Sequence, residues 1–385
     1  MTSFAGYHRP DGRVGVRNHL LVLSLAGLTG PTARRIGSAI AGAVTISLPC
    51  GAGLLGKDRE VYLAALAALP AHPNVGAAVL IGDNPPLTEK IATAAEATGK
   101  PCAHFTMDDC AQDAITLTER ALRAGAELAH RISGQDRGPA PLSALTLGLE
   151  CGRSDPSSGL VANPLLGVIA DRLCEAGGAA MIGETTEWLG AEHLLARRAR
   201  TPEVAEQIRN AALAREQAAI AAGIDLTGNN PGPTNIAAGL SSIEEKSLGN
   251  IAKSGSGTIQ GLLGYGEAPR GPGMWVMDAP AYAPESLTGF VLAGVQMMLF
   301  TTGVGNSYVS ALAPTIKLSA NPETCARLHQ QLDFDASEAF RGGERLHSAA
   351  DRLMDTIRAI ASGHATWGEI LLEGGESVSR FGAAL

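Results

Sequence analysis

Residues Ala144–Glu187 read ALTLGLECGRSDPSSGLVANPLLGVIADRLCEAGGAAMIGETTE. The apolar run Ala144–Leu149 reads as a strand and ends at the polar turn Glu150–Ser158. Asn163-Pro164 then reads as a helix cap followed by proline at the first helical position. Apolar residues recur at helical spacing over Leu165–Ala176, and Gly177-Gly178 stops the helix. A second apolar run, Ala179–Gly183, ends directly at Glu184-Thr185-Thr186-Glu187. Strand, helix and strand in this order make a β-α-β crossover, whose two strands run parallel. Ligands of open parallel sheets collect at the carboxyl ends of the strands. Both polar clusters are therefore expected to face one crevice.

The same alternation runs through the first third of the chain. Strands are expected at Leu20–Leu25, Ala43–Leu48, Val75–Gly82 and Cys102–Met107. Helices are expected at 31–41, 58–69, 87–98 and, as one long element, 108–133. A further long helix is expected over Pro202–Gly223. Gly134–Pro141 (GQDRGPAP) is polar and broken twice by proline, the composition of a linker. The expected class is α/β, with two Rossmann-like doubly wound units of mostly parallel sheet over residues 1–138 and 139–385.

Composition narrows the function. Of 385 residues, 45% are hydrophobic and 18% charged, which excludes a disordered chain. A net charge of −8 with no basic stripe argues against nucleic acid as a partner. Six cysteines without a Cys-x-x-Cys pair signal neither a zinc knuckle nor a disulfide framework. No signal-peptide core or bilayer-length apolar run is present, so no membrane partner and a cytoplasmic location are expected. Gly-x-Gly-x-x-Gly after the first strand, a Walker lysine loop and a Gly-x-Ser-x-Gly elbow are all missing.

Glu150, Asp155, Glu184 and Glu187 are hard oxygen donors of the type that Mg²⁺, Mn²⁺ or Fe²⁺ accepts. They serve equally well as helix caps or as ion-pair partners. Arg153 and the adjacent Ser154 can hold a substrate carboxylate through the planar guanidinium and a hydroxyl. Cys151 is a soft ligand or a small buried side chain, and Cys50, at another strand end, is its candidate partner. In GLSSIEEKSLG, Glu244 and Glu245 fall in the first turn of a helix and Lys246 is a candidate general base or carboxylate anchor. Thr302 and Asn306 lie in LFTTGVGNS, a strand running into an anion-holding glycine loop. Tyr7–Asn18 (YHRPDGRVGVRN) either holds an acidic substrate, pins the segment to its domain or touches another subunit.

Taken together, GYHRPDGRVGVRN, ECGRSDPSSGLVANP, GETTEWLGAEHLLARRA, GLSSIEEKSLGNIAKSG, LFTTGVGN and PTIKLSAN resemble, in order, the large catalytic portion of the altronate/galactarate dehydratase family. That family includes the large subunit of sulfolactate sulfo-lyase. The resemblance implies a divalent-metal lyase that removes water or sulfite from a small hydroxy acid. It extends site roles to Ser158, Asn163, Asn235 and Glu245, with Lys246, Glu245 and Ser158 catalytic. It places Arg153, Ser154, Asn163, Asn235, Thr302 and Asn306 on the substrate and Asp155, Glu184 and Glu187 on the metal. The small domain that precedes this portion in single-chain members has no counterpart here, which implies a separate small subunit and a homo- or hetero-oligomer.

The chain departs from the family pattern at three places. Asp83 and Asn84 replace a Cys-Glu pair, Val304 replaces the arginine of Thr-Thr-Gly-Arg-Gly, and Thr234-Asn235 stands where Gly-Asn is usual. The expected reaction is β-elimination, a hydro-lyase step on a sugar-acid-like hydroxy-carboxylate. The alternatives are sulfite release from a sulfolactate-like acid, a degenerate acid-binding subunit, or a hydrolase or isomerase on the same scaffold.

Overall fold

The structure is a computed structural model that describes residues 3–51, 53–226 and 230–379. The chain divides into two compact units, one built mainly from residues 5–140 and the other mainly from 141–310 and 314–374. In the first, strands β1 (His19–Ser24), β2 (Val44–Ser47), β3 (Val75–Gly82) and β4 (Cys102–Thr106) form a sheet in the order β2-β1-β3-β4. Every pairing in it is parallel. β3 is buried along its whole length, as expected where helices cover both faces of a parallel sheet.

The long helix expected over 108–133 is broken. A single tight turn, Asp108–Cys110, is followed by Ala111 and Gln112 at φ 48° and 65°. The helix restarts at Ala114, because Asp113 caps it by accepting from the Ile115 N–H at 2.8 Å. The arginine-rich segment before β1 pins its own unit. The buried Arg9 guanidinium donates to the Pro73 and Arg17 carbonyls and to Asn18 Oδ1, while Arg13 pairs with Asp11.

The second unit carries seven parallel strands: β5 (Thr146–Cys151), β6 (Ala179–Ile182), β7 (Ile259–Leu263), β8 (Gly273–Met277), β9 (Met297–Thr301), β10 (Thr315–Ser319) and β11 (Phe334–Asp335). Their order is β7-β8-β6-β5-β9-β10-β11. β5 and β6 are direct neighbours, with Leu149 opposite Ile182. The chain reverses direction across the sheet between β5 and β9, where Glu150 lies opposite Phe300. Such a switch point leaves a crevice at the carboxyl ends of the strands. This is the mixed α/β architecture expected from the sequence.

Two local expectations are corrected. Glu150 and Cys151 lie inside β5 and not in the turn after it. Asn163 is not a helix cap: the helical backbone begins at Pro156 and passes through a wider π-type turn at Ser158–Ala162 into the helix Asn163–Glu175. Asp155-Pro156 is the same cap-plus-proline signal as Asn163-Pro164, and the earlier one starts the helix. Among the described residues, no helix is long and apolar enough to cross a membrane.

Candidate active site

A cavity of about 570 Å³ opens at the carboxyl ends of β5, β6 and β9. Cys151, Arg153 and Ser154 enter it from the end of β5, Glu184 and Glu187 from the end of β6, and Lys246 from the helix Ile243–Ile251. The loop after β9 closes another side with Val304, Asn306 and Tyr308. The β-α-β unit thus brings its two polar clusters to one crevice.

Beneath the cavity lies a buried charge network. Glu150 is fully buried; it accepts from Lys253 Nζ and from Ser286 Oγ, each at 2.6 Å. Lys253 Nζ also lies 3.4 Å from Cys151 Sγ. Burial works against the Lys253 charge, but Cys151, Glu150, Glu184 and Glu187 outweigh it and hold the ammonium protonated. The Cys151 thiol moves the other way: burial pushes its pKa up, with Lys253 opposing.

Glu184 is the exception within the network. Its Oε2 is buried and has no hydrogen-bond partner. Burial first, then the Glu150 and Glu187 carboxylates, push its pKa well up. Its backbone is held at φ 57° and ψ 59°, a left-handed conformation costly for a residue with a side chain. One ligand atom each from Glu150, Cys151 and Glu184 lies within 4.8 Å of the others. A divalent cation fits this set, because it would give the orphaned Glu184 oxygen a partner and offset the two carboxylates of the set.

Lys246 pairs with Glu187 at 2.5 Å and donates to Asn230 Oδ1 at 2.6 Å. Burial acts to lower its pKa, but Glu187, with Glu184 and Cys151, outweighs burial and the net shift is upward. Held this way as an ammonium, Lys246 fits the carboxylate-anchor role that the sequence left open better than that of a free-amine base.

The remaining expected residues divide. Asp155 lies outside the Glu150–Cys151–Glu184 group. Its Oδ1 accepts from Ser157 Oγ and from the N–H and hydroxyl of Ser158, and its Oδ2 from Asn321 Nδ2 at 2.7 Å. Ser158 is consumed in that cap, its N–H and its hydroxyl both donating to Asp155 Oδ1. Asn163 bridges the Gly249 carbonyl and Thr301 Oγ1. Asn235 donates to the Ser154 carbonyl, and Thr302 Oγ1 accepts from the Gly305 N–H. Glu245 is exposed and caps its own helix through the N–H and hydroxyl of Ser241. Arg153, Ser154 and Asn306 do line the cavity, whereas Cys50 belongs to the other unit.

Lys253, Asn250, Ser286 and Arg327 escaped the sequence reading. For two of them a signal was present: Lys246, Asn250 and Lys253 stand at i, i+4 and i+7, one face of a helix. Asn250 donates to the Glu187 carbonyl at 3.2 Å from that face.

Two family models and several known proteins match the chain. The family model described as D-galactarate/altronate dehydratase, C-terminal, matches residues 142–381. The one described as D-galactarate dehydratase/altronate hydrolase, second domain, matches residues 6–133. The (2R)-sulfolactate sulfo-lyase subunit beta of Chromohalobacter salexigens is 36% identical over 96% of this chain and 95% of its own length. Altronate dehydratase of Escherichia coli is 32% identical over 94% of this chain and 74% of its own. The L-threo-forming galactarate dehydratase of Escherichia coli is 31% identical over 68% of this chain and 48% of its own length. With both regions matched in order and one relative aligned almost end to end, the chain belongs to the D-galactarate/altronate dehydratase family, a family of lyases.

Proposed function

We propose that the chain catalyses β-elimination from a small 2-hydroxy acid, releasing water or sulfite, and that Glu184 and Cys151, backed by Glu150 and Glu187, bind a divalent metal. The observation that carries this reading is the orphaned, buried Glu184 carboxyl facing the same cavity as the Lys246–Glu187 pair. When bound, a divalent ion (Fe²⁺, Mn²⁺ or Mg²⁺) supplies Lewis-acid stabilisation of the negative charge that develops on the substrate carboxylate.

The chain's own groups account for the protons. The Glu187 carboxylate takes the α-proton, and the electron pair forms the carbon–carbon double bond as the β-substituent leaves. The Lys246 ammonium gives its proton to a departing hydroxide, which leaves as water; sulfite needs no such proton. The enol product then tautomerises to a 2-keto acid. General acid and base groups so placed typically contribute about 10²–10⁴ each in rate.

This proposal places the chemistry in residues 139–385 and leaves 1–138 as a separate domain. It includes a small partner subunit, supported by the subunit designation of the sulfo-lyase relative, and a cytoplasmic location, supported by six free cysteines. The test is metal analysis by plasma mass spectrometry on purified protein, followed by keto-acid and sulfite assays on hydroxy acids and sulfonates. About one divalent ion per chain, lost in Glu184→Ala and kept in Asp155→Ala, is expected. If no metal binds after anaerobic reconstitution, the degenerate acid-binding reading replaces this one.

A further inference from the structure

Asn250 is fully buried on the helix Ile243–Ile251, one turn beyond Lys246, and takes no part in the proton steps above. Its side chain joins the two ends of the β5–β6 crossover. Nδ2 donates to the Glu187 backbone carbonyl at 3.2 Å, and Oδ1 accepts from the Cys151 thiol at 3.4 Å. The other acceptor near that thiol, Glu187 Oε2, is farther away at 3.9 Å. A backbone carbonyl can only accept, so the amide cannot turn over: Nδ2 must face Glu187, and Oδ1 must face Cys151. Among the described residues, the thiol is the one donor that Oδ1 meets.

This fixed orientation has a consequence once Cys151 becomes a ligand. A metal takes sulfur as the thiolate, so the S–H proton leaves to solvent through the cavity that Cys151 lines. Lys253 Nζ, 3.4 Å from the sulfur, still donates to it. Oδ1, however, has lost its donor and faces a negative sulfur, and the locked amide cannot offer Nδ2 instead. A buried acceptor left without a partner is disfavoured. An ion at the sulfur relieves this, because amide oxygens are ordinary ligands of hard divalent cations. With Oδ1 and Sγ 3.4 Å apart, one ion can touch both.

We propose that Asn250 Oδ1 is a direct oxygen donor to the divalent ion, joining Glu184 and Cys151. This rests on the metal-lyase reading above and adds to it a neutral ligand, carried by the same helix as Lys246.

The experiment strips the protein with EDTA, removes the chelator and titrates in Mn²⁺, read by calorimetry and by pulsed electron paramagnetic resonance. The variants are Asn250→Leu, Asn250→Asp and Asn250→His, with thermal melts to check that each folds. Asn250→Leu should weaken binding about 10-fold or more, which a residue that only steadied its neighbours could also do. The other two variants separate the cases. Asn250→Asp loses the bond to the Glu187 carbonyl but keeps the oxygen, so it should bind Mn²⁺ at least as tightly as the wild type. Asn250→His puts a ring nitrogen near the place of Oδ1, and bound Mn²⁺ should show coupling to an imidazole nitrogen. No side chain among Glu150, Cys151, Glu184 and Glu187 contains nitrogen, so that signal comes from position 250.

Unchanged affinity in Asn250→Leu overturns the proposal. So does Asn250→Asp binding as weakly as Asn250→Leu, or Mn²⁺ held by Asn250→His without nitrogen coupling. In each of these cases the metal reading still stands if Glu184→Ala abolishes binding. A wild type that takes up no divalent ion after anaerobic reconstitution sinks the metal reading, and this proposal with it.

Discussion

Replacing Lys253 by methionine tests the network under the cavity. Lys253 and Glu150 are both fully buried and 2.6 Å apart, and Lys253 also faces Cys151. Methionine preserves much of the stem's volume and removes the charge. It leaves the Glu150 carboxyl in a dry interior with only the Ser286 hydroxyl and the Cys151 N–H as donors. Stranding one member of a buried pair costs about 3–5 kcal/mol. Urea unfolding followed by tryptophan fluorescence reads this unit selectively, because Trp188, Trp275 and Trp367 are the chain's three tryptophans and all belong to it. Glu150→Gln combined with Lys253→Met removes the stranded charge, so the double variant should recover about 2–3 kcal/mol relative to the sum of the single losses. A single-variant cost below about 1 kcal/mol, or strict additivity in the double variant, would refute the claim that this pair is a tightly coupled buried unit.

In EDTA, Glu184→Gln should stabilise the protein at pH 8 by about 1–3 kcal/mol, because the amide keeps the shape but cannot take the charge that burial and the neighbouring carboxylates disfavour. The folded-state pKa of Glu184 is raised, so the wild type loses stability as pH climbs above the unfolded value of about 4.3; the gap between the two melts should widen from pH 5 upward, and a pH-independent gap would contradict this account. The same variant should no longer be stabilised by added metal. Lys246→Met should lower kcat by about 10²–10⁴, and because the Lys246 pKa is raised, the wild-type rate should show no loss of its proton below about pH 10; a basic limb centred near pH 8 that vanishes in the variant would count against the ammonium assignment. Gly303→Ala should unfold or distort the turn, since a Cβ there would lie 2.6 Å from the Asp155 backbone nitrogen. Asp155→Ala should cost about 2 kcal/mol, at the upper end for a cap, while leaving metal content intact by plasma mass spectrometry.

The architecture was legible because hydrophobic period and glycine stops are local. Ala179–Ile182 shows no polar residue until Glu184, and a buried parallel strand has no other way to read. Convergence of the Glu150 and Glu184 regions followed from crossover geometry alone. The roles of individual side chains did not follow, because they depend on where each carboxylate finds its donors. Asp155 and Glu184 are both buried acids at strand ends, and nothing in their neighbours separates them by sequence. Four hydrogen bonds occupy Asp155, while an oxygen of Glu184 has none. The same limit applies to Lys246, which a chain position marks as a cation but only the 2.5 Å approach of Glu187 marks as a persistent one.

The two lysines show how one helical face divides structure from chemistry. Lys253 and Lys246 are seven residues apart, and each meets a carboxylate from the end of the β5–β6 crossover. Lys253 meets Glu150 where no water reaches, so its proton has nowhere to go and its charge serves only to hold Glu150 beside Cys151. Lys246 meets Glu187 at the cavity wall, where a substrate can replace one of the two partners. A proton shared by an accessible pair can be given and recovered within a catalytic cycle, whereas a fully buried pair resists any change of charge. Burial, more than residue type, therefore separates two similar ion pairs, and in the proposed mechanism it leaves proton transfer to Lys246 and Glu187.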